Sequence, residues 1–324
     1  MNTLFNSGFR NDLEAMLQYK VSLGYSRDTY LRHCLAFDRY CCVRFPEMHT
    51  LTQPVVLGWI ELKSGEQPVT VQGRCCFMRT FAKYLRSVGM DAYMLPVKFS
   101  GSASMFTPYI FTDGELAALF HEIDLFQTGR DALQPYLLST VFRLIYTCGL
   151  RPREGRTLKR SCVNTCTGEI LITETKQHKE RIVVMSDEMR ELAASYCRIR
   201  DAAFPDSVFM FPNAEGNAYS ATWLLKKLKH FFVLANPGTD PEMLPHIRVY
   251  DLRHRFASAA LMRWLDNGED LANRLPYLRT YMGHNELSAT AYYIHLLPEN
   301  LVKSAGIDWS AFGSMIPEVE LWDD

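Results

Sequence analysis

Along the first hundred residues, apolar side chains return at intervals of three and four: Phe9, Leu13, Met16 and Leu17, then Tyr30, Cys34, Phe37 and Cys41, then Phe77, Phe81, Tyr84, Leu85 and Val88. That spacing gathers each set on one face of an α-helix, and no strand-like alternation interrupts it. Gly24 and Gly89 stand where helix C-termini are expected, and Ser26 stands where the second helix needs an N-cap. The pattern predicts a small helical bundle over about residues 5–95.

Between Pro96 and Pro108 the periodicity stops, and Ser100, Gly101, Ser102 and Ser104 give the composition of an exposed connector. A domain boundary is placed there, with residues 1–105 on one side, the linker at about 96–108, and residues 109–324 on the other. Thr112 and Glu115 then have capping-box spacing ahead of the stripe Leu116, Leu119, Phe120 and Ile123. Leu137, Val141, Leu144, Ile145 and Cys148 share the face of a further helix, which stops at Gly149. Two β-branched runs, Ile170–Thr173 and Ile182–Val184, flank the polar segment Glu174–Arg181 and predict a hairpin with a charged tip. Helical sequence resumes, broken at Pro205, Pro212 and the Asn213–Asn217 turn, with a last helix around Ser310–Met315. The expected fold is mainly α with one small β-hairpin: a helical N-terminal domain followed by a mixed, mostly helical domain.

Composition narrows this only a little. At 324 residues and 48% hydrophobic, the chain can bury two cores. The N-terminus, from Met1 through Phe5 to Arg10 and Asp12, lacks a signal-peptide pattern, and no apolar run reaches membrane-spanning length, so a cytoplasmic protein is expected. Nine cysteines, with Cys41 beside Cys42 and Cys75 beside Cys76, make no disulfide framework and read as reduced thiols. Cys162 and Cys166 have half the spacing of a metal site, but no second pair follows, and no metal is expected. The net charge of -1 conceals local basic runs: Arg74, Arg79, Lys83 and Arg86 in one helix, and Lys226, Lys227, Lys229 and His230 in another. Each run is either a solvated helix face or a phosphate-contacting surface.

Four separated segments carry residues suited to a phosphodiester: GLRPRE with Arg151 and Glu154, TKQHKERIVV with Lys176, YDLRHRFAS with Arg253, and MGHNELSATAYYIH with His284 and Tyr293. Two guanidinium groups can hold both non-bridging oxygens of a phosphate and stabilise a pentacoordinate transition state. A tyrosine hydroxyl, with an ordinary pKa of about 10, becomes a useful nucleophile only when cations and a proton acceptor lower the cost of phenolate. Arg151, Arg253 and His284 supply such a field, and a hairpin lysine is a reasonable acid for the leaving 5′-oxygen. Each of these residues alone has a plainer use, as a surface charge, a structural histidine or a core tyrosine. The ordered set is what points to chemistry.

That set resembles the tyrosine recombinase, or phage integrase, family, whose motifs run Arg, Lys, His-x-x-Arg, Gly-His and Tyr. Gly149, Leu150, Arg151 and Glu154 match its first box, and Lys176 with Lys179, Glu180 and Arg181 matches its hairpin. Leu252, Arg253 and His254 match its Leu-Arg-His core, and Gly283, His284, Leu287, Ser288, Thr290, Tyr293 and His295 match its last pattern. The similarity covers about Thr112–Leu297. It selects Tyr293 over Tyr292 as nucleophile, three after the threonine and two before the histidine, and leaves Tyr292 to packing. Where the family has histidine three residues before the second arginine, this chain has Tyr250. A phenol donates to a phosphate oxygen but accepts a proton poorly near neutrality. Tyr250→Phe is therefore expected to reduce cleavage, with His246 approaching as a substitute base if its segment is helical.

The resemblance implies a SAM-like core-site binding domain at the N-terminus, of the simple type without an arm-site domain. It further implies double-stranded DNA with inverted-repeat core sites as partner, with Arg74, Arg79, Lys83, Arg86, Lys179, Arg181, Lys226, Lys227 and Lys229 as candidate DNA contacts. A homotetramer on DNA exchanging strands through a Holliday junction, and accessory proteins, belong to the same expectation. Because each phosphotyrosine bond conserves the energy of the bond it replaces, no cofactor is called for. Integration, excision or transposition of a mobile element would be the setting. A tail bearing Trp309 and Phe312 docks on a neighbouring subunit or on its own domain. Alternatives are a telomere resolvase or type IB topoisomerase, separable by product, and a DNA-binding member of the fold that has lost catalysis.

Overall fold

The computed structural model describes residues 4–99, 107–129, 131–173 and 180–297. The expectations for Lys176, Lys179, the Ser100–Ser104 stretch and the tail helix at Ser310–Met315 lie outside the described residues, as does the side chain of His295. The chain divides into two compact units, Met1–Phe106 and Thr107–Asp324.

In the first unit the apolar stripes become α1 (Arg10–Ser22), α2 (Arg27–Arg44) and α4 (Pro68–Ser87). A fourth helix that the periodicity did not predict, α3 (Gln53–Ile60), lies between α2 and α4. Phe37 of α2 is the hub of the core, its ring 5.6 Å from Phe9, 5.5 Å from Trp59 and 5.8 Å from Phe81. The buried Asp38 carboxylate accepts from the backbone N–H of Ser7 at 2.8 Å and of Asn6, which ties the segment before α1 to α2. Arg74, expected at a DNA-contacting face, is instead buried. It pairs with Glu66, donates to the Glu61 carbonyl and lies over the Trp59 ring, because its position on α4 turns it toward the loop after α3.

The second unit opens on α5 (Asp113–Leu125), capped as the sequence predicts: Glu115 N–H donates to Thr112 Oγ1 while Thr112 N–H donates to the Glu115 carboxylate. Then come α6 (Gln134–Thr147), the short α7 (Pro152–Arg156), and an antiparallel hairpin of β1 (Glu169–Ile172) and β2 (Arg181–Val184), registered Ile170 to Val183. Helices α8 (Asp187–Ala203), α9 (Ala221–Leu234), α10 (Val249–Asp266), α11 (Leu271–Met282) and α12 (Ser288–Ala291) follow among its described residues, with a 3-10 turn over Tyr292–Leu296. Among the described residues the fold is mostly helical with one small two-stranded sheet.

One core joins α5, α6, α8, α9 and the inner faces of the hairpin. A second joins α10, α11 and the 3-10 turn, through Leu261, Leu275, Met282, Tyr293 and Ile294. Among the described residues no helix is long and apolar enough to cross a membrane.

Candidate active site

The last carbonyls of a helix lack intrahelical donors and carry the negative end of its dipole. At the end of α11 three consecutive ones, from its last two residues and its C-cap, are each taken by a different arginine. The Tyr281 carbonyl accepts from Arg181 Nε at 2.8 Å, that of Met282 from Arg253 Nη2 at 2.6 Å, and that of Gly283 from Arg151 Nη2 at 2.6 Å. The helix ends because Gly283 turns left-handed at φ 65°. A Cβ there would stand 3.1 Å from Arg181 Nη1, so the close approach also favours glycine.

Glu154, on α7, binds two of these arginines. Its carboxylate accepts from the backbone N–H of Arg151 at 2.8 Å, Arg151 Nη1 at 2.7 Å, and Arg181 Nη1 and Nη2 at 2.9 and 2.7 Å. Burial alone would raise its pKa, but the hydrogen bonds and charge of Arg181, then those of Arg151, bring it down to about 2. Arg253 is fully buried on α10 and also donates to the Gly149 carbonyl at 2.6 Å. Gly149 terminates α6 at φ 60°, and a Cβ on it would lie 2.4 Å from Phe256 Cδ1.

His284 follows directly. Its Nε2 is 3.1 Å from Arg253 Nη2 and its Nδ1 2.8 Å from Thr290 Oγ1. A guanidinium only donates, so Nε2 is the acceptor and the ring proton sits on Nδ1, donating to Thr290. Burial first, then the charges of Arg253 and Arg151, lower the pKa to about 3, so the imidazole is neutral.

Tyr293 is 2% exposed, its ring 6.1 Å from that of His284 and nearly parallel to it. Its hydroxyl is 3.2 Å from His254 Nδ1. Burial pushes the phenol up to about 12, against the pull of Arg253. His254 is likewise held neutral at about 4 by burial and by the charges of Arg248 and Arg253. The ring of Tyr250, one turn earlier on α10, packs 4.9 Å from His254.

Arg151, Glu154, Arg253, His284 and Tyr293 are thus brought together from α6–α7, α10, the end of α11 and the 3-10 turn, with Tyr250 at their edge. Arg181, expected as a DNA contact, belongs to the same cluster. Its guanidinium is 9% exposed and satisfied by Glu154 and the Tyr281 carbonyl, a partnership that charge counting cannot detect. His246 is exposed, and α10 begins only at Val249, so the helical continuity that would bring it in is absent.

Lys227 turns inward, its Nζ 3.1 Å from Gln134 Oε1 and 4.7 Å over the Phe126 ring, while Lys226 and Lys229 are exposed. In the first unit Lys83 and Arg86 are exposed, and Arg79 donates to the carbonyls of Pro96 and Val97. Sequence reading gave no role to His254 or to Thr290 as the partner of His284. Both stood inside matched motifs, but only the folded chain brings them to the nucleophile and its neighbour. Among the described residues no group of three His, Cys, Asp or Glu side chains is arranged to hold a metal ion.

Residues 114–300, more than half of the chain, match the phage integrase family. The chain belongs to that family, the tyrosine recombinases. It is similar over almost its whole length to a protein of Sinorhizobium fredii (strain NBRC 101917 / NGR234), y4rE, described as an integrase/recombinase: 30% identity over 296 residues, 90% of this chain and 93% of that one. Tyrosine recombinase XerD of Lacticaseibacillus casei is 31% identical over 188 residues, 56% of this chain and 58% of its own. Among solved structures, the XerH site-specific recombinase in a post-cleavage complex with its palindromic difH substrate superposes with a TM-score of 0.65 at 20% identity, covering 94% of this chain and 85% of XerH. The Tn1549 transposon integrase bound to transposon right-end DNA gives 0.63 at 12% identity, over 90% of this chain and 96% of that one. At these identities the two structures establish a shared recombinase fold.

Proposed function

We propose that this tyrosine recombinase cleaves and rejoins double-stranded DNA at specific sites, with Tyr293 as nucleophile. The observation that carries the proposal is the convergence of Arg151, Arg253 and His284 beside one buried phenol. The scissile phosphate sits against the two guanidinium groups, whose backs are fixed by helix carbonyls and Glu154, so little reorganisation accompanies charge build-up. His284, donating to Thr290 and accepting from Arg253, orients that arginine toward the phosphate. The Tyr293 oxygen attacks phosphorus, the bond to the 5′-oxygen breaks, and the departing oxygen takes a proton from Lys176. Tyr250 donates to a phosphate oxygen. The recombinase fold shared with proteins solved on difH and transposon-end DNA supports DNA as the substrate.

Residues 1–105 act as the core-site binding domain, with Lys83 and Arg86 on its exposed basic face. Four subunits on two inverted-repeat sites exchange strands through a Holliday junction, in a cytoplasmic, mobile-element setting such as integration, excision or transposition. The test is incubation of the full chain with a nicked suicide duplex, from which the fragment after the cut diffuses away. A protein band shifted in mass by the attached strand is expected. Duplex binding without any covalent species would favour a member of the fold that has lost catalysis.

A further inference from the structure

We propose that His254 is the proton acceptor for Tyr293, taking the hydroxyl proton at Nδ1 as the phenol oxygen attacks phosphorus. This rests on the reading of Tyr293 as nucleophile and adds the group that activates it. The residue three before Arg253 is Tyr250, a phenol, which accepts a proton poorly near neutrality. His254 lies one turn further along the same face of α10, and its Nδ1 is 3.2 Å from Tyr293 Oη, within reach for direct transfer. His284 cannot serve, although its ring is parallel to that of Tyr293. Its Nε2 lone pair is already engaged by Arg253 Nη2, and its Nδ1 proton is donated to Thr290.

The groups facing His254 are Tyr250 on its own helix, Tyr293 on the 3-10 turn, and the cations Arg248 and Arg253, with His284 beyond. Without DNA, burial and the two cations keep the imidazole neutral while the phenol stays protonated, and with the ring proton on Nε2 the Nδ1 lone pair accepts from the Tyr293 O–H. A phosphate brings negative charge beside those cations and lowers the cost of an imidazolium. The Tyr293 O–H bond then breaks toward His254 as the Oη–P bond forms and the P–O5′ bond opens. In rejoining, the 5′-hydroxyl gives its proton back to Lys176 as its oxygen attacks phosphorus, the Oη–P bond breaks, and His254 returns its proton to the departing phenolate. No proton is gained or lost over the cycle.

The experiment is single-turnover cleavage of a nicked suicide duplex by the full chain, across a pH series. Covalent trapping by the native chain comes first; its absence would count against Tyr293 itself, separately from His254. His254→Asn keeps an acceptor oxygen near the Nδ1 position but cannot take a proton. It should cleave about 10²- to 10⁴-fold more slowly and lose the acidic limb of the pH profile. Replacing Tyr293 in that variant by difluorotyrosine, whose hydroxyl ionises more readily, should restore most of the rate, as a purely structural role would not allow. Tyr250→Phe should lose about tenfold with its pH profile intact, as expected of a lost hydrogen bond.

His254→Asn cleaving within about threefold of the native rate would overturn the proposal, as would a loss that difluorotyrosine fails to restore. A further measurement leaves residue 254 in place. On a 5′-phosphorothiolate duplex, whose sulfur departs without a proton, the native chain should cleave more slowly in heavy water. Equal rates there would also overturn it.

Discussion

Glu154→Leu tests whether the arginine cluster is held as described. The substitution keeps a similar volume and removes a carboxylate that takes four hydrogen bonds from Arg151 and Arg181. The Arg181 guanidinium, 9% exposed, is left without its bidentate partner and without water to replace it. Breaking a buried pair by removing one member costs about 3–5 kcal/mol, chiefly from the stranded charge. For a unit of this size each kcal/mol lowers the melting temperature by about 2–4 °C, so a drop of about 6–20 °C is expected in the transition of residues 107–324. Cleavage falls as well, because Arg151 loses the partner that fixes its fork. The double variant Glu154→Leu with Arg181→Leu strands no charge on that side and should recover part of the loss. Thermal and urea unfolding of the full chain measure all three proteins. A single variant that loses less than about 1 kcal/mol, or a double variant destabilised by the sum of the two singles, would refute the reasoning.

Gly149→Ala places a Cβ 2.4 Å from Phe256 Cδ1 at φ 60° and should cost about 2–4 kcal/mol in urea unfolding, from left-handed strain plus overpacking; an effect under about 1 kcal/mol would contradict the geometry. Acid should destabilise the second unit in two stages. His254 and His284, lowered from 6.5 to about 4 and about 3, stay neutral in the fold while the unfolded chain protonates, so stability falls as pH drops below 6.5 and unfolding takes up about two protons near pH 5. Glu154, depressed from 4.5 to about 2, adds stability that is present above 4.5 and disappears as pH falls through 2. Unfolding free energies measured from pH 7 to pH 4 that do not decline would contradict the neutral histidines. Lys226→Ala with Lys229→Ala, both exposed, should lower the slope of log affinity against log salt for duplex binding by about 2, whereas an unchanged slope would remove α9 from the DNA surface.

Local patterns carried much of the architecture into the sequence. The capping box at Thr112 and Glu115, the stop at Gly149 and the hairpin strands are set by neighbours within a few residues, and each was readable to within a residue or two. Helix α3 was not, because QPVVLGWI is almost continuously apolar and contains two residues that usually break helices. Pro54 is tolerated in the first turn, and Gly58 makes room for the Tyr40 hydroxyl, neither of which periodicity reports. The chemistry-bearing arginines, histidine and tyrosine were visible as an ordered set. Their surroundings were not. Arg181 finds Glu154 across 27 residues and Arg74 finds Glu66 across 8, partnerships that the run of basic residues does not announce. His254 meets Tyr293 across 39 residues, and that meeting exists only once α10 and the 3-10 turn share a core.

The central claim is that a single phenol becomes bonded to the DNA backbone, and the covalent species reports on it directly. Protein trapped on a nicked suicide duplex, digested with nuclease and protease and analysed by tandem mass spectrometry, should yield one peptide carrying a nucleotide, with the modification on Tyr293. A nucleotide on Tyr292 or on any other residue, or a Tyr293→Phe protein that still becomes attached, would contradict it.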